Sequence, residues 1–124
     1  MKRIFNLLLL CFICVTLFGQ LPRKSTELIH RYYPNCTIKS YSKIDKLYWV
    51  SLSNNTIIKF KRNGDLVEII GYVPPFLLHY KINNHLMWYS SRPARYYHKH
   101  KKGYDIHLHN GRQIKYNKRY KERK

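Results

Sequence analysis

The residues best suited to chemistry in this chain are its seven histidines. His98 and His100 lie two positions apart, as do His107 and His109. Alternate strand positions point the same way, so each pair offers two imidazoles to one side, a spacing that suits zinc or copper. Register decides whether the pairs meet. A two-residue turn at Lys102 and Gly103 sets His98 across from His107 and His100 across from Asp105, whereas a three-residue turn puts the pairs on opposite faces. A basic strand that simply carries exposed histidines has the same sequence. With six acids in all, and no Ser-His-Asp arrangement, Gly-rich phosphate loop or paired carboxylates, the chain reads as a non-enzyme without a cofactor.

The second set of candidates depends on two stretches that match without a gap at an offset of 56: "YWVSLSNNTIIKF", Tyr48 to Phe60, and "YDIHLHNGRQIKY", Tyr104 to Tyr116. Tyr48, Val50 and Leu52 alternate with polar or aromatic neighbours, as Tyr104, Ile106 and Leu108 do, so each stretch is a strand with one apolar face. For the apolar residues on both arms to share a face, paired positions must sum to an even number. A three-residue loop satisfies this, with Gly111 in the left-handed position of one loop and Asn55 in that of the other. The expected pairs are Leu108 with Arg112, Ile106 with Ile114, Tyr104 with Tyr116, Val50 with Ile58, and Tyr48 with Phe60. Parity then places Trp49, Ser51, Ile57, Lys59 and Lys61, and in the second stretch Asp105, His107, Gln113 and Lys115, on the opposite, open face. There Trp49 faces Lys59 and Asp105 faces Lys115. A tryptophan and an isoleucine on an open face are anchors of the kind interfaces use, and Asp105 with Lys115 reads as a cross-strand charge pair.

Helices must cover the apolar side of these strands. In "LPRKSTELIHRYYP" Pro22 suits a first turn, Leu21, Leu28 and Tyr32 share a face with Ile29 alongside, and Tyr33 before Pro34 ends the helix. In "VPPFLLHYKINNHLMWYS" Pro75 begins a helix whose stripe is Leu78, Ile82, Leu86 and Tyr89. "CTIKSYSKI" and "PARYYHKH" are strand-like, and "NGD" at 63–65 turns into a fourth strand, "LVEII", whose inward pair is either Val67 and Ile69 or Leu66 and Ile70. In the second copy "RYKERK" stands at that place, so its fourth strand is frayed or missing. The expected fold is α+β: a tandem repeat of a helix plus three or four antiparallel strands, with the helices packed on one face of a continuous antiparallel sheet. The units span 21–71 and 72–120, before a basic tail at 121–124.

The first 20 residues read as a secretory signal, with Lys2 and Arg3 ahead of an apolar run closing on Gly19, so cleavage falls after residue 19 or 20. The run is shorter than the ~20 residues that span a bilayer, and no later segment approaches that length, so no transmembrane segment is expected after cleavage. Cys36 is then the one cysteine of the mature chain and reads as a half-buried strand residue. The formal charge of +18 becomes +16 without Lys2 and Arg3, and residues 92–124 carry twelve Lys or Arg against Asp105 and Glu122. Behind a signal, such charge points to anionic envelope glycan or lipid headgroups, or to an acidic protein, rather than to nucleic acid.

A proline-started helix ending in "YYP", a strand led by an isoleucine, "YWVSLSNNTIIKFKRNGD", a second proline-started helix and "YDIHLHNGRQIKYN" together resemble the PepSY-like proteins of exported bacterial origin, also described as beta-lactamase-inhibitor-like. The likeness runs from about Leu21 to Tyr120. It implies a tandem helix-plus-sheet unit, a periplasmic or secreted location, no known enzymatic activity, and a role in binding or inhibiting another protein. In the inhibitor that gave the fold its name, the open sheet face grips the target enzyme. This chain departs from the pattern in its basic charge and in the tail that replaces its last strand. The function expected on these grounds is an exported binding or inhibitory module that engages a protein or peptide through the sheet face. The alternatives are a cationic envelope protein and a surface histidine metal binder.

Overall fold

The computed structural model describes residues 21–123, and the leader expected over residues 1–20 lies outside the described residues. Pro22 precedes helix α1 (Arg23–Tyr32), and its carbonyl accepts the Ser25 N–H at 2.9 Å, so the residue without a donor sits where no donor is needed. Tyr33, ahead of Pro34, leaves helical geometry as expected. It is buried, and its hydroxyl donates to the Tyr72 carbonyl at 2.6 Å. Ile29 is the buried apolar residue of α1, while Leu28 and Tyr32 are half-buried beside it.

The strands are β1 (Ile38–Ile44), β2 (Leu47–Leu52), β3 (Ile57–Phe60), β4 (Leu66–Ile70), β5 (Tyr96–His100), β6 (Gly103–His107) and β7 (Gln113–Asn117). They form one antiparallel sheet in chain order, so the architecture is α+β. The worked-out pairs are present: Val50 with Ile58, Tyr48 with Phe60, Ile106 with Ile114 and Tyr104 with Tyr116. The loops close as parity requires. The Leu52 N–H donates to Thr56 and the Leu108 N–H to Arg112, each at 2.9 Å, and Asn55 (φ 69°) and Gly111 (φ 87°) take the left-handed positions.

Three expectations need correction. Pro75 opens only a 3₁₀ turn (Pro75–Leu77); Leu78 is then extended, and helix α2 (Tyr80–Leu86) starts afresh, with the His79 side chain accepting the Lys81 N–H at 3.3 Å. This restart still buries Leu78, Ile82 and Leu86. On β4 neither proposed pair faces inward. Lys59 pairs with Glu68 but Phe60 pairs with Leu66, so a bulge at Val67 changes the parity and turns both Leu66 and Ile69 toward the core. The β5–β6 turn is the two residues Lys101–Lys102, one position earlier than the Lys102–Gly103 turn that would have set His98 across from His107. Gly103 cannot be a turn residue here because it lies in the ladder at φ 144°, where a Cβ would stand 1.9 Å from the Tyr116 carbonyl oxygen.

Beyond β7, the chain folds back as a stub rather than a strand. The Asn117 N–H donates to Lys121 at 2.8 Å and the Arg123 N–H to Lys115 at 2.7 Å, with a bridge between Tyr116 and Glu122. His85 on α2 meets this stub. Its Nδ1 lies 2.7 Å from the buried Tyr116 hydroxyl and its Nε2 3.4 Å from Glu122. Val50, Leu52, Ile58, Phe60, Ile69, Ile106, Leu108, Ile114 and Tyr116 from the sheet, with Ile29, Ile82 and Leu86 from the helices, belong to a single buried cluster.

Candidate binding face

The residues that alternate with this core project on the other side of the sheet, and the register lines them up in two rows. One row runs Ser42, Trp49, Lys59, Glu68, His98, Asp105, Lys115 across all seven strands. The next runs Ser40, Ser51, Ile57, Ile70, Tyr96, His107, Gln113. The first is charged apart from its Ser42–Trp49 end and His98, and the second is apolar and aromatic at its centre, where Ile57 faces Ile70 and Tyr96 faces His107.

Trp49 faces Lys59 and Asp105 faces Lys115, as expected. The Lys59 ammonium lies 3.7 Å from the Trp49 ring centre and 2.6 Å from Glu68 Oε1, with both charged side chains largely shielded. Tyr96 donates its hydroxyl to Glu68 Oε2 at 2.6 Å and stacks on His107 with ring centres 4.4 Å apart. Burial by itself raises the Glu68 carboxyl, but hydrogen bonds from Lys59 and Tyr96 and the charges of Lys59 and His98 outweigh it and hold the group below the usual range. The Tyr96 hydroxyl is raised by burial, then by its bond to Glu68. Burial lowers the His107 imidazole, Arg95 adds to this, and Asp105 opposes it.

Three polar atoms on this face are shielded from solvent without a hydrogen bond: Trp49 Nε1, His100 Nε2 and Asp105 Oδ1. The last two stand 3.2 Å apart, without hydrogen-bond geometry. Trp49 Nε1 has no acceptor among the described residues.

Ser51 and Ile57 are partners on the face, as are His107 and Gln113, with Gln113 and Lys115 exposed; Lys61 lies exposed just past β3. The four histidines do not converge. The Lys101–Lys102 turn sets His98 across from Asp105 and His107 across from Tyr96, and His109 falls in the exposed β6–β7 loop. Among the described residues no group of three His, Cys, Asp or Glu side chains is placed to hold a metal. Sequence reasoning missed Glu68, Ile70 and Tyr96 as members of the face. The period-two run Tyr96, His98, His100 carried that signal for β5, but Glu68 and Ile70 were hidden by the bulge at Val67.

No family model matches the chain, and no curated protein does, so the PepSY-like resemblance rests on the residues quoted for it. Solved structures do match. A periplasmic protein of unknown function from Bacteroides vulgatus superposes with a TM-score of 0.75 at 20% identity, over 86% of this chain and 91% of that one. A candidate calcium-regulated periplasmic protein from Bacteroides thetaiotaomicron gives 0.78 at 18%, over 86% and 90%. A periplasmic protein of the DUF2874 family from Bacteroides vulgatus gives 0.75 at 19%, over 86% and 90%. The fold is shared with these proteins. A BLIP-like protein from Bacteroides fragilis aligns at a TM-score of 0.40, too loosely to bear on the fold.

Proposed function

We propose that this chain is an exported, non-enzymatic binding module that engages a protein or peptide through the outer face of its sheet. The Ile57–Ile70 pair beside the Trp49 indole carries the reading, because it leaves apolar surface open at the centre of a face otherwise lined by charged and polar groups, Ile70 being 39% exposed. An extended partner would lay apolar side chains on that pair, and the flanking row of Lys59, Glu68, Asp105 and Lys115 sets polarity and orientation.

Several features belong to the same proposal. The two halves are copies with both helices on one side of the sheet, a reading supported by equivalent hydrogen bonds 56 positions apart: Asn55 N–H to Leu52 with Gly111 N–H to Leu108, and Lys61 N–H to Asp65 with Asn117 N–H to Lys121. Export to the periplasm is supported by the leader-like start and by the periplasmic names of the structural neighbours. Calcium regulation, named for one neighbour, is not carried over, since the described acids form no cluster.

The test is capture from periplasm or medium with residues 21–124, beside a Trp49→Ala control whose folding is checked by circular dichroism. A partner retained at high salt and lost in the variant supports the sheet face. Equal capture by a folded Trp49→Ala protein overturns it. The second reading, a cationic envelope protein, is favoured by the charge of residues 92–124 and predicts binding that salt releases and Trp49→Ala leaves alone.

A further inference from the structure

The largest exposed apolar side chains are not on the sheet face. Phe76 (89% exposed) lies on the 3₁₀ turn, Tyr80 (65%) opens helix α2, and Met87 (70%) and Trp88 (86%) follow in the turn that ends it. Tyr80 and Met87, seven positions apart, fall on one helical face roughly 10 Å from end to end, opposite the buried Ile82 and Leu86. Trp88 follows at the C-terminal end. Exposed aromatics on and around a helix whose other side is already buried through Ile82 and Leu86 are surplus to folding.

Cations flank this face at both ends. At the N-terminal end, Tyr120 stacks on His79 with ring centres 3.7 Å apart, which brings the stub carrying Lys118, Arg119 and Lys121 beside Tyr80. At the other end, the Arg112 guanidinium covers the Tyr89 ring at 3.9 Å, next to Trp88. We infer that this face of α2 is the site at which the chain docks on an anionic lipid surface, with Phe76, Tyr80, Met87 and Trp88 entering the headgroup boundary and the flanking lysines and arginines pairing with headgroup phosphates.

A lipid occupant fits better than a protein. Phe76 edges a shallow cleft with Tyr32 and Tyr72, but it, Tyr80 and Trp88 are each mostly exposed and project into solvent, so a protein would have to provide a pocket for each, whereas a bilayer boundary accepts aromatic rings wherever they project. A second copy is disfavoured by charge, since each chain carries +16 even without Lys2 and Arg3. The inference does not depend on the sheet-face reading, because Trp49 takes no part in it.

The chain has two tryptophans, Trp49 and Trp88, so a Trp49→Phe variant makes Trp88 the sole reporter. With vesicles of phosphatidylcholine plus phosphatidylglycerol, its emission is expected to shift to the blue and to be quenched by brominated lipid. Phosphatidylcholine alone should give little change. Phe76→Ser with Met87→Ser should lower partitioning about tenfold or more while leaving the thermal melt unchanged, because both side chains are exposed. If Trp49→Phe does not fold, the difference between the unaltered chain and Trp88→Phe gives the same signal. An unmoved Trp88 spectrum in anionic vesicles overturns the inference, as does binding that salt removes without any blue shift, or a blue shift that grows with protein concentration in the absence of lipid.

Discussion

The ammonium of Lys59 sits over the ring of Trp49, its cross-strand partner, at 3.7 Å. The same ammonium reaches Glu68, so one cation fixes an indole and a carboxylate from the strands on either side of it. The outer face is thereby ordered before any partner arrives, which lowers the entropy lost on binding.

Removing that cation should be felt in stability. Lys59→Met is expected to lower unfolding free energy by about 2 kcal/mol, because Glu68 keeps its charge in a shielded site with only Tyr96 as donor. The double variant Lys59→Met/Glu68→Gln should recover part of the loss. Urea unfolding at neutral pH measures both; a single variant as stable as the parent would show that the pair contributes nothing.

Acid should act on the same carboxylate. The folded Glu68 pKa lies below its ordinary value of 4.5, so its stabilisation is fully present above that value and disappears as the pH drops through the lower folded one. The stability of Glu68→Gln should fall less steeply with acid over that window. Denaturation midpoints taken across it provide the comparison.

His107 should respond at milder pH. Its folded pKa is depressed below 6.5, so between the two values the unfolded chain binds more protons and stability rises with pH. Acidification from about pH 7.5 toward 5.5 should therefore weaken the fold, and His107→Phe, which keeps a ring against Tyr96, should flatten the slope. An NMR titration of His107 with a midpoint above 6.5 would contradict this.

Two glycines should differ sharply. Gly103→Ala drives a Cβ to 1.9 Å from a backbone oxygen and is expected to cost roughly 3 kcal/mol or more, or to prevent folding. Gly111 has open space around it and only its φ of 87° to satisfy, so Gly111→Ala should cost about 1 kcal/mol. Gly111→Asn should be milder still, since Asn55 already serves in the matching loop. Thermal melts rank the three.

The hairpins were legible because their information is local. Period-two alternation and one left-handed position fix a register, and Tyr48–Phe60 and Tyr104–Tyr116 could be paired from spacing alone. What sequence reading missed came from longer-range packing. Val67 bulges so that Leu66 and Ile69 can both face inward, and nothing in "LVEII" announces it. Gly103 looks like a turn residue until the Tyr116 carbonyl is seen against it. Pro75 begins a turn that cannot continue as a helix once Leu78 is extended toward the core. Of the candidate face, Trp49, Lys59, Asp105 and Lys115 followed from parity, while Glu68 and Tyr96 depended on how β4 and β5 meet.

That meeting differs from the other strand junctions. β1 to β4 are joined by short connections, as are β5 to β7, but β4 reaches β5 only after the chain has run through residues 71–95, including α2. Two meanders can thus zip up early, each on its own, leaving their mutual seam to close last. A guest lying over Lys59, Glu68, Tyr96 and His107 would straddle that seam and rivet one half to the other. Its grip would register as resistance to unfolding, long before anyone knew its name.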